Sequence, residues 1–295
     1  MAKRKSAPFT GPLVAVEQLS YAVRGQTLLD TISFDITERE AFVLLGENGS
    51  GKTLLIEAMA GDIRHQGEVR WRADAPRGRR TIAYDGFATF SMLKVGEVLR
   101  LLSALYKHPV DRHLHDVMKL GDLERKAFGV LSKGERKRVG VYAALFSGPA
   151  FAILDEPTDG MDPMMRSAFW RMIEQRSGAI MLTTHMWDEA EAVHDRIALI
   201  SGGRFLHPPA RAGTLKALLP FEGKIKTAAL PEAARPPGQV ATRDGVSLVF
   251  FRDEAERKAV IAWLGEAGLA SAGYSVLPID LADVYHWLSE QAHGS

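Results

Sequence analysis

The chain has 295 residues, 46% of them hydrophobic, and its 37 Lys and Arg against 36 Asp and Glu give a formal net charge of +1. That length supports one large core and a small second one, the balanced charge gives no global attraction to nucleic acid, and the lack of cysteine excludes disulfides and thiolate metal sites. No apolar run reaches the roughly 20 residues of a membrane span and no signal peptide opens the chain, so a soluble protein of a reducing, cytoplasmic compartment is expected, with "KRK" at 3–5 as a solvated tail.

Residues 13–45 read as strands: "LVAVEQLSYAV", "TISFDI", then "AFVLL" running into Gly46. A helix follows, with Leu54, Leu55, Ala58 and Met59 at helical spacing and Gly61 at its end. "GEVRW" at 67–71 predicts a strand, and Pro76 and Gly78 mark a basic loop. The 3–4 residue step of Val95, Val98, Leu99, Leu102 and Leu105 predicts a helix, with a shorter one over Asp111–Leu120. "LSKGERKRVG" at 131–140 opens another helix whose first turns carry Arg136, Lys137 and Arg138. Such a helix start suits an anion. The same trio also reads as a solvated face opposite Val139, Tyr142, Ala143 and Phe146. "FAILDE" (151–156) and "AIMLTTH" (179–185) are short apolar runs with polar tips, the pattern of buried parallel strands whose carboxyl ends meet a ligand. Beyond about residue 220 the character changes. "PEAARPPG" (231–238) is a connection, "VATRDGVSLVFF" a hairpin around Asp244-Gly245, and "DEAERKAVIAWLGEAG" and "DLADVYHWLSEQ" are helices, together a small α+β appendage.

Three of these places carry chemistry. "GENGSGKT", spanning Gly46, Glu47, Asn48, Gly49, Ser50, Gly51, Lys52 and Thr53, fits the phosphate-loop spacing between a strand and a helix. Its glycines let backbone N–H groups wrap phosphates, Lys52 reaches the β- and γ-phosphates, and Thr53 offers a hydroxyl to Mg²⁺. This is a nucleoside triphosphate site. The strand at 151–156 delivers Asp155 to the Mg²⁺ shell, with Glu156 beside it to orient and deprotonate water. Standing alone, that pair would read as a surface turn. His185 ends a third strand and projects at the same sheet edge, within reach of the γ-phosphate or the water.

The phosphate loop, "LSKGE" at 131–135, "FAILDE", "DGMD" at 159–162 and His185 follow the order and spacing of ABC-transporter ATP-binding subunits, and the chain resembles that family over about residues 13–215. The resemblance implies a P-loop α/β fold over 1–220 with a mixed β-sheet core and an inserted helical subdomain at about 88–148, followed by the appendage at 221–295. It implies an ATPase using ATP and Mg²⁺, with Lys52 and Thr53 on phosphate and metal, Asp155 in the metal shell, Glu156 as general base and His185 as switch histidine. It also implies a homodimer with two ATP molecules sandwiched between the chains. In the family the signature loop faces away from its own phosphate loop, so Ser132 and Gly134 would cap the γ-phosphate in trans, and Asp162 would sense the opposite subunit.

Departures accompany these matches. Lys133 stands where the family often has Gly. The adenine-stacking aromatic aligns with Val23, so either Tyr21 substitutes for it or base recognition is weak. The family's metal-touching Gln aligns with Phe87, and Asp85 is the nearest oxygen that could approach the metal shell, or it merely starts a turn with Gly86. The ending "LPIDLADVYHWL" resembles that of ABC-2-type exporters. The resemblance therefore implies a separately encoded transmembrane permease as partner, an ATPase peripheral on the cytoplasmic face of the inner membrane, transport in the export direction, and no nucleic-acid partner. An importer ATPase and a non-transport ABC ATPase acting on ribosome or DNA are the alternatives.

Overall fold

The computed structural model describes residues 11–72, 80–84, 91–193, 195–231, 233–243, 245–269 and 273–293. They fall into two compact units that meet between Arg211 and Ala212.

The first unit holds two sheets. Strands β1 (Val14–Val23), β2 (Gln26–Ile36) and β4 (Gln66–Trp71) form an antiparallel sheet in the order β2-β1-β4. Strands β3 (Ala41–Leu45), β5 (Arg80–Ala83), β6 (Phe151–Asp155), β7 (Ala179–Thr184), β8 (Arg196–Ser201) and β9 (Arg204–Phe205) form the other, in the order β5-β6-β7-β3-β8-β9. It is parallel from β5 through β8, with an antiparallel β9 at its edge. The unbroken apolar runs of β3, β6 and β7 follow from this placement. Every residue of the three strands is buried, as central parallel strands require. Each such aliphatic side chain contributes about 1.5–3 kcal/mol relative to exposure.

Register then sets the site. Leu45 pairs with Thr184 and Asp155 with Thr183, so β3, β6 and β7 end together at the carboxyl edge of the sheet. The helices α1 (Lys52–Ala60), α5 (Pro163–Glu174) and α6 (Trp187–Glu191) leave from that edge. Between β5 and β6 lie α2 (Val95–Tyr106), α3 (Arg112–Val117) and α4 (Lys133–Leu145). The predicted 111–120 helix is shorter than its pattern: Asp111 caps it, accepting from Leu114 N–H at 3.0 Å, and it stops at Met118.

The cationic trio on α4 is not a solvated face. Lys137 is buried, Arg136 Nε donates to Leu131 O at 3.0 Å, and Arg138 Nη1 donates to Met118 O at 3.2 Å. The helix is covered on several sides, because Val139, Gly140, Val141, Tyr142 and Ala144 are all buried.

The second unit is a four-stranded antiparallel sheet in the order β11-β12-β10-β13, built from β10 (Gly223–Ala228), β11 (Gln239–Arg243), β12 (Val246–Phe251) and β13 (Tyr274–Pro278). Its helices are α7 (Ala212–Lys216), α8 (Glu254–Glu266) and α9 (Leu281–His293). Ile225, Val249 and Phe251 of the sheet pack with Val260 and Leu264 of α8. The unit starts at residue 212, ahead of the change in composition at 220, because α7 packs on α9.

Candidate phosphate-binding site

The loop between β3 and α1 turns sharply enough to need glycine. Gly51 has φ 108°, a left-handed conformation that a Cβ disfavours, and it hands the chain directly to Lys52. The Lys52 ammonium is buried and folds back over the loop, donating to Gly46 O at 2.7 Å and Glu47 O at 3.1 Å. It also lies 3.4 Å from Glu156 Oε1. Ser50 Oγ is buried and has no hydrogen-bond partner among the described residues. A loop with an unmatched hydroxyl and a cation held largely by neutral carbonyls is suited to an incoming phosphate.

The acidic tip of β6 meets this loop. Thr53 Oγ1 donates to Asp155 Oδ2 at 3.1 Å. Thr183, one strand over, donates its hydroxyl to Asp155 Oδ1 at 2.6 Å and accepts from Glu156 N–H at 3.0 Å. Glu156 itself has φ 50°, a conformation that costs a non-glycine residue about 1 kcal/mol. Its carboxylate meets His185 Nδ1 at 2.7 Å through Oε2. Asn48, Gly49, Gly51, Lys52, Thr53, Asp155, Glu156 and His185 thus share one cleft of about 320 Å³.

Thr53 and Asp155 present adjacent hard oxygens, a donor set that fits Mg²⁺. No group of three or more His, Asp or Glu among the described residues is arranged to hold a metal alone, so waters and phosphate oxygens would complete the shell.

The other predicted residues fall elsewhere. Ser132 caps α4: its hydroxyl accepts from Glu135 N–H at 3.2 Å, while Glu135 Oε2 accepts from Ser132 N–H at 2.8 Å. "LSKGE" is therefore also a capping box. Because Ser132 Oγ uses a lone pair, its proton remains available to a phosphate oxygen. Gly134 packs on Gly160, where an added Cβ would meet Gly160 O at 3.3 Å. Asp162 caps α5, accepting from Met165 N–H at 2.9 Å, and pairs with Lys119 at 2.7 Å; that lysine and the cap hold its carboxyl below the ordinary range. Tyr21 does not line the cleft; its ring packs against the core cluster under the antiparallel sheet, while Val23 is exposed. Asp85, Phe87 and Gly86 lie outside the described residues.

The sequence reading missed several contributors. Thr183 is visible only as part of an apolar strand, yet it ties the two acidic residues together. Glu189 on α6 accepts from Thr158 at 2.7 Å and Thr184 at 3.2 Å and pairs with Arg166 at 3.0 Å. It thereby joins the turn after Glu156 to the residue before His185. Burial pushes its carboxyl up. Lys133 and Asp159 also line the cleft, whereas Ser132 and Gly134 are not among its lining residues.

A glycine loop carrying lysine into a helix, opposite an acidic strand tip on a parallel sheet edge, defines a P-loop nucleotide-binding domain. Residues 29–159 match the family model described as ABC transporter. Over that stretch the chain is similar to the ATP-binding domains of ABC transporters. It is 29% identical over 216 residues to Nod factor export ATP-binding protein I of Neorhizobium galegae, a match covering 67% of this chain and 62% of that protein. The chain thus spans less than two thirds of that relative's length. A solved structure described as the ATP binding subunit of an ABC transporter shares the fold, with TM-score 0.62 and 24% identity, over 70% of this chain and 92% of that one. Another, cbiO1 from Clostridium perfringens, described as part of the ABC transporter complex cbiONQ, has TM-score 0.52 and 25% identity over 66% and 86%.

Proposed function

We propose that the chain hydrolyses ATP to ADP and phosphate, and that this reaction drives export through a separately encoded membrane permease. The observation that carries the reading is the position of Lys52, bridging the phosphate loop and Glu156 across one cleft. When phosphate enters, Lys52 exchanges its contact with Glu156 for phosphate oxygens, and Glu156 Oε1 is released to accept a proton from water. The water oxygen then bonds to the γ-phosphorus, the bond to the β–γ bridging oxygen breaks, and ADP leaves. His185, already on Glu156 Oε2, holds that carboxylate in line and faces the same phosphate. Thr53 and Asp155 would hold Mg²⁺, which when bound neutralises charge on the β- and γ-phosphate oxygens. The phosphate loop from Gly46 to Thr53 wraps the nucleotide.

Export is supported by the name of the Neorhizobium galegae relative, and a membrane partner by the transporter complex to which the Clostridium perfringens protein belongs. No helix among the described residues is long and apolar enough to cross a membrane. The working form is a homodimer in which Ser132 and Gly134 of each chain meet the ATP of the other, with Asp162 at the junction, seated on the cytoplasmic face of the inner membrane.

Changing Glu156 to Gln keeps the shape and the nucleotide contacts while removing the base. Turnover should fall about 10²–10⁴-fold with ATP affinity retained, and ATP-bound dimers should accumulate by light scattering. Hydrolysis near the wild-type rate would remove Glu156 from its role, and a species that stays monomeric with ATP would remove the sandwich.

A further inference from the structure

The second unit has a pocket of its own, about 330 Å³ in volume, between α9 and the edge strand β11. That volume lies in the range of small-molecule sites. Two periodicities set its lining. Gln239 is in register with Phe250 and Phe250 with Lys224, and Arg243 follows Gln239 by four residues, so Arg243 and Phe250 share the sheet face of Lys224. Asp283, Trp287 and Glu290 recur at helical steps along one side of α9.

The pocket combines an apolar wall with an under-bonded cation. Phe221 has its ring centroid 5.2 Å from Phe250 and 5.4 Å from Trp287, meeting the indole edge-on at 89°. Arg243 is three-quarters buried, and its guanidinium makes no hydrogen bond among the described residues. Its ion-pair partner, Asp283 Oδ1, stands 3.7 Å from Nη1, beyond hydrogen-bond length. Asp283 is kept from closing that gap, because Lys224 Nζ holds its Oδ2 at 2.6 Å and Asp280 N–H holds it at 3.0 Å. Oδ1 is itself buried with no hydrogen-bond partner. The carboxylate thus keeps the guanidinium in place by charge and leaves its fork of donors unused.

We propose that this pocket binds a small monocarboxylate with an aromatic or branched apolar body, the carboxylate forked on Arg243 and the body against Phe221, Phe250 and Trp287. A planar guanidinium matches a carboxylate through two parallel N–H···O bonds. Glu290, exposed on the lining, disfavours a second negative charge on the ligand. An amine gains no contact with Asp283 Oδ1, which is sealed from solvent. Simple acids and α-amino acids share the chemistry that Arg243 and the rings recognise. The pocket lies wholly within the second unit, so the proposal does not rest on the ATP-site reading.

The test is equilibrium dialysis of the full chain against phenylacetate, L-phenylalanine, 2-phenylethanol and phenethylamine. The alcohol and the amine keep the body without the carboxylate, and should bind at least about tenfold more weakly than the better of the two acids. Arg243→Gln should weaken that acid roughly 10–100-fold, the range for hydrogen bonds to a charged group. Arg243→Lys, which keeps the charge without the fork, should recover only part of the loss. Phenylalanine binding more tightly than phenylacetate, still through Arg243, makes this a site for α-amino acids; the reverse order makes it one for simple acids. Lys52→Ala should bind both as the wild type does, which separates this pocket from the phosphate cleft. The comparison of probes uses the wild-type chain, so it stands even if Arg243→Gln disturbs the second unit. Retention of neither acid at millimolar concentration, an alcohol or amine bound as tightly, or dependence on Lys52 in place of Arg243 would each overturn the proposal.

Discussion

Lys224 of the second unit and Lys52 of the first are both buried, and they are held in opposite ways. Lys224 of β10 is pinned between Asp280 and Asp283, the latter at 2.6 Å, and those carboxylates in turn accept from each other's backbone N–H at 3.0 Å where α9 begins. Lys52 has two neutral carbonyls as close partners, and its one carboxylate stands off at 3.4 Å across an open cleft. The first cation is fully compensated by anions. The second is compensated mostly by dipoles and still attracts an anion. Burial alone does not separate the two; the charge of their partners does.

Three measurements break or sharpen this contrast. Lys224→Ala leaves the buried Asp283 carboxylate without its close cation and facing the part-exposed Asp280, and should cost the second unit about 3–5 kcal/mol in a denaturant melt, with ATP affinity of the folded chain unchanged. Loss of ATP binding in a folded Lys224→Ala protein would show that the second lysine is not merely structural. A smaller effect is expected at Glu189, whose loss strands Thr158, Thr184 and Arg166. Glu189→Ala should cost about 1–3 kcal/mol of stability and lower kcat with KM little changed, because Glu156 and His185 lose their shared support. Glu189→Gln, which keeps an acceptor, should recover most of both; a rise in KM alone would contradict this.

The smallest effect is set by pH. Lys126 beside Glu135, with the Ser132 N–H, lowers the Glu135 carboxyl from 4.5 to about 2. A carboxylate so depressed contributes stability that is complete above about pH 4.5 and lost as pH falls toward 2. With partial solvent screening the contribution is about 0.5–1 kcal/mol. Glu135→Gln should flatten that stretch of the acid titration of stability, and an unchanged slope would remove Glu135 from it.

The residues brought together in the cleft were legible where a strand runs apolar to its tip, as at Asp155 and His185, or where the chain must turn on glycine, as at Gly51. These signals are local. Thr183, Asp159 and Glu189 act through partners distant in sequence, and nothing local marks them: threonine in a buried strand and glutamate on a short helix are ordinary choices. The same limit applied to the second unit. The hairpin at 240–251 announced itself by its turn, whereas β10 reads "GKIKTA" and becomes a central strand only because β12 and β13 pair with it. Tyr21 is a different case. Strand alternation puts it on the same face as Val23, and in the structure its ring is partly buried against the core cluster while Val23 is exposed.

The order of strands has a consequence for how the chain is made. In β3, Ala41 pairs with Ile180 and Phe42 with Arg196, so the strand that feeds the phosphate loop has neither neighbour until β7 and β8 emerge from the ribosome. At about 5–20 residues per second, that wait is on the order of 10 s. Throughout it, "AFVLL" is a fully apolar segment with both hydrogen-bonding edges open, the kind of stretch that sticks to other chains. Nucleotide present in the cell cannot stabilise the nascent loop during this interval, because its seat does not yet exist. Translation slowed between codons 46 and 179 would lengthen that exposure, while a pause after β7 and β8 have emerged would find both neighbours of β3 in place.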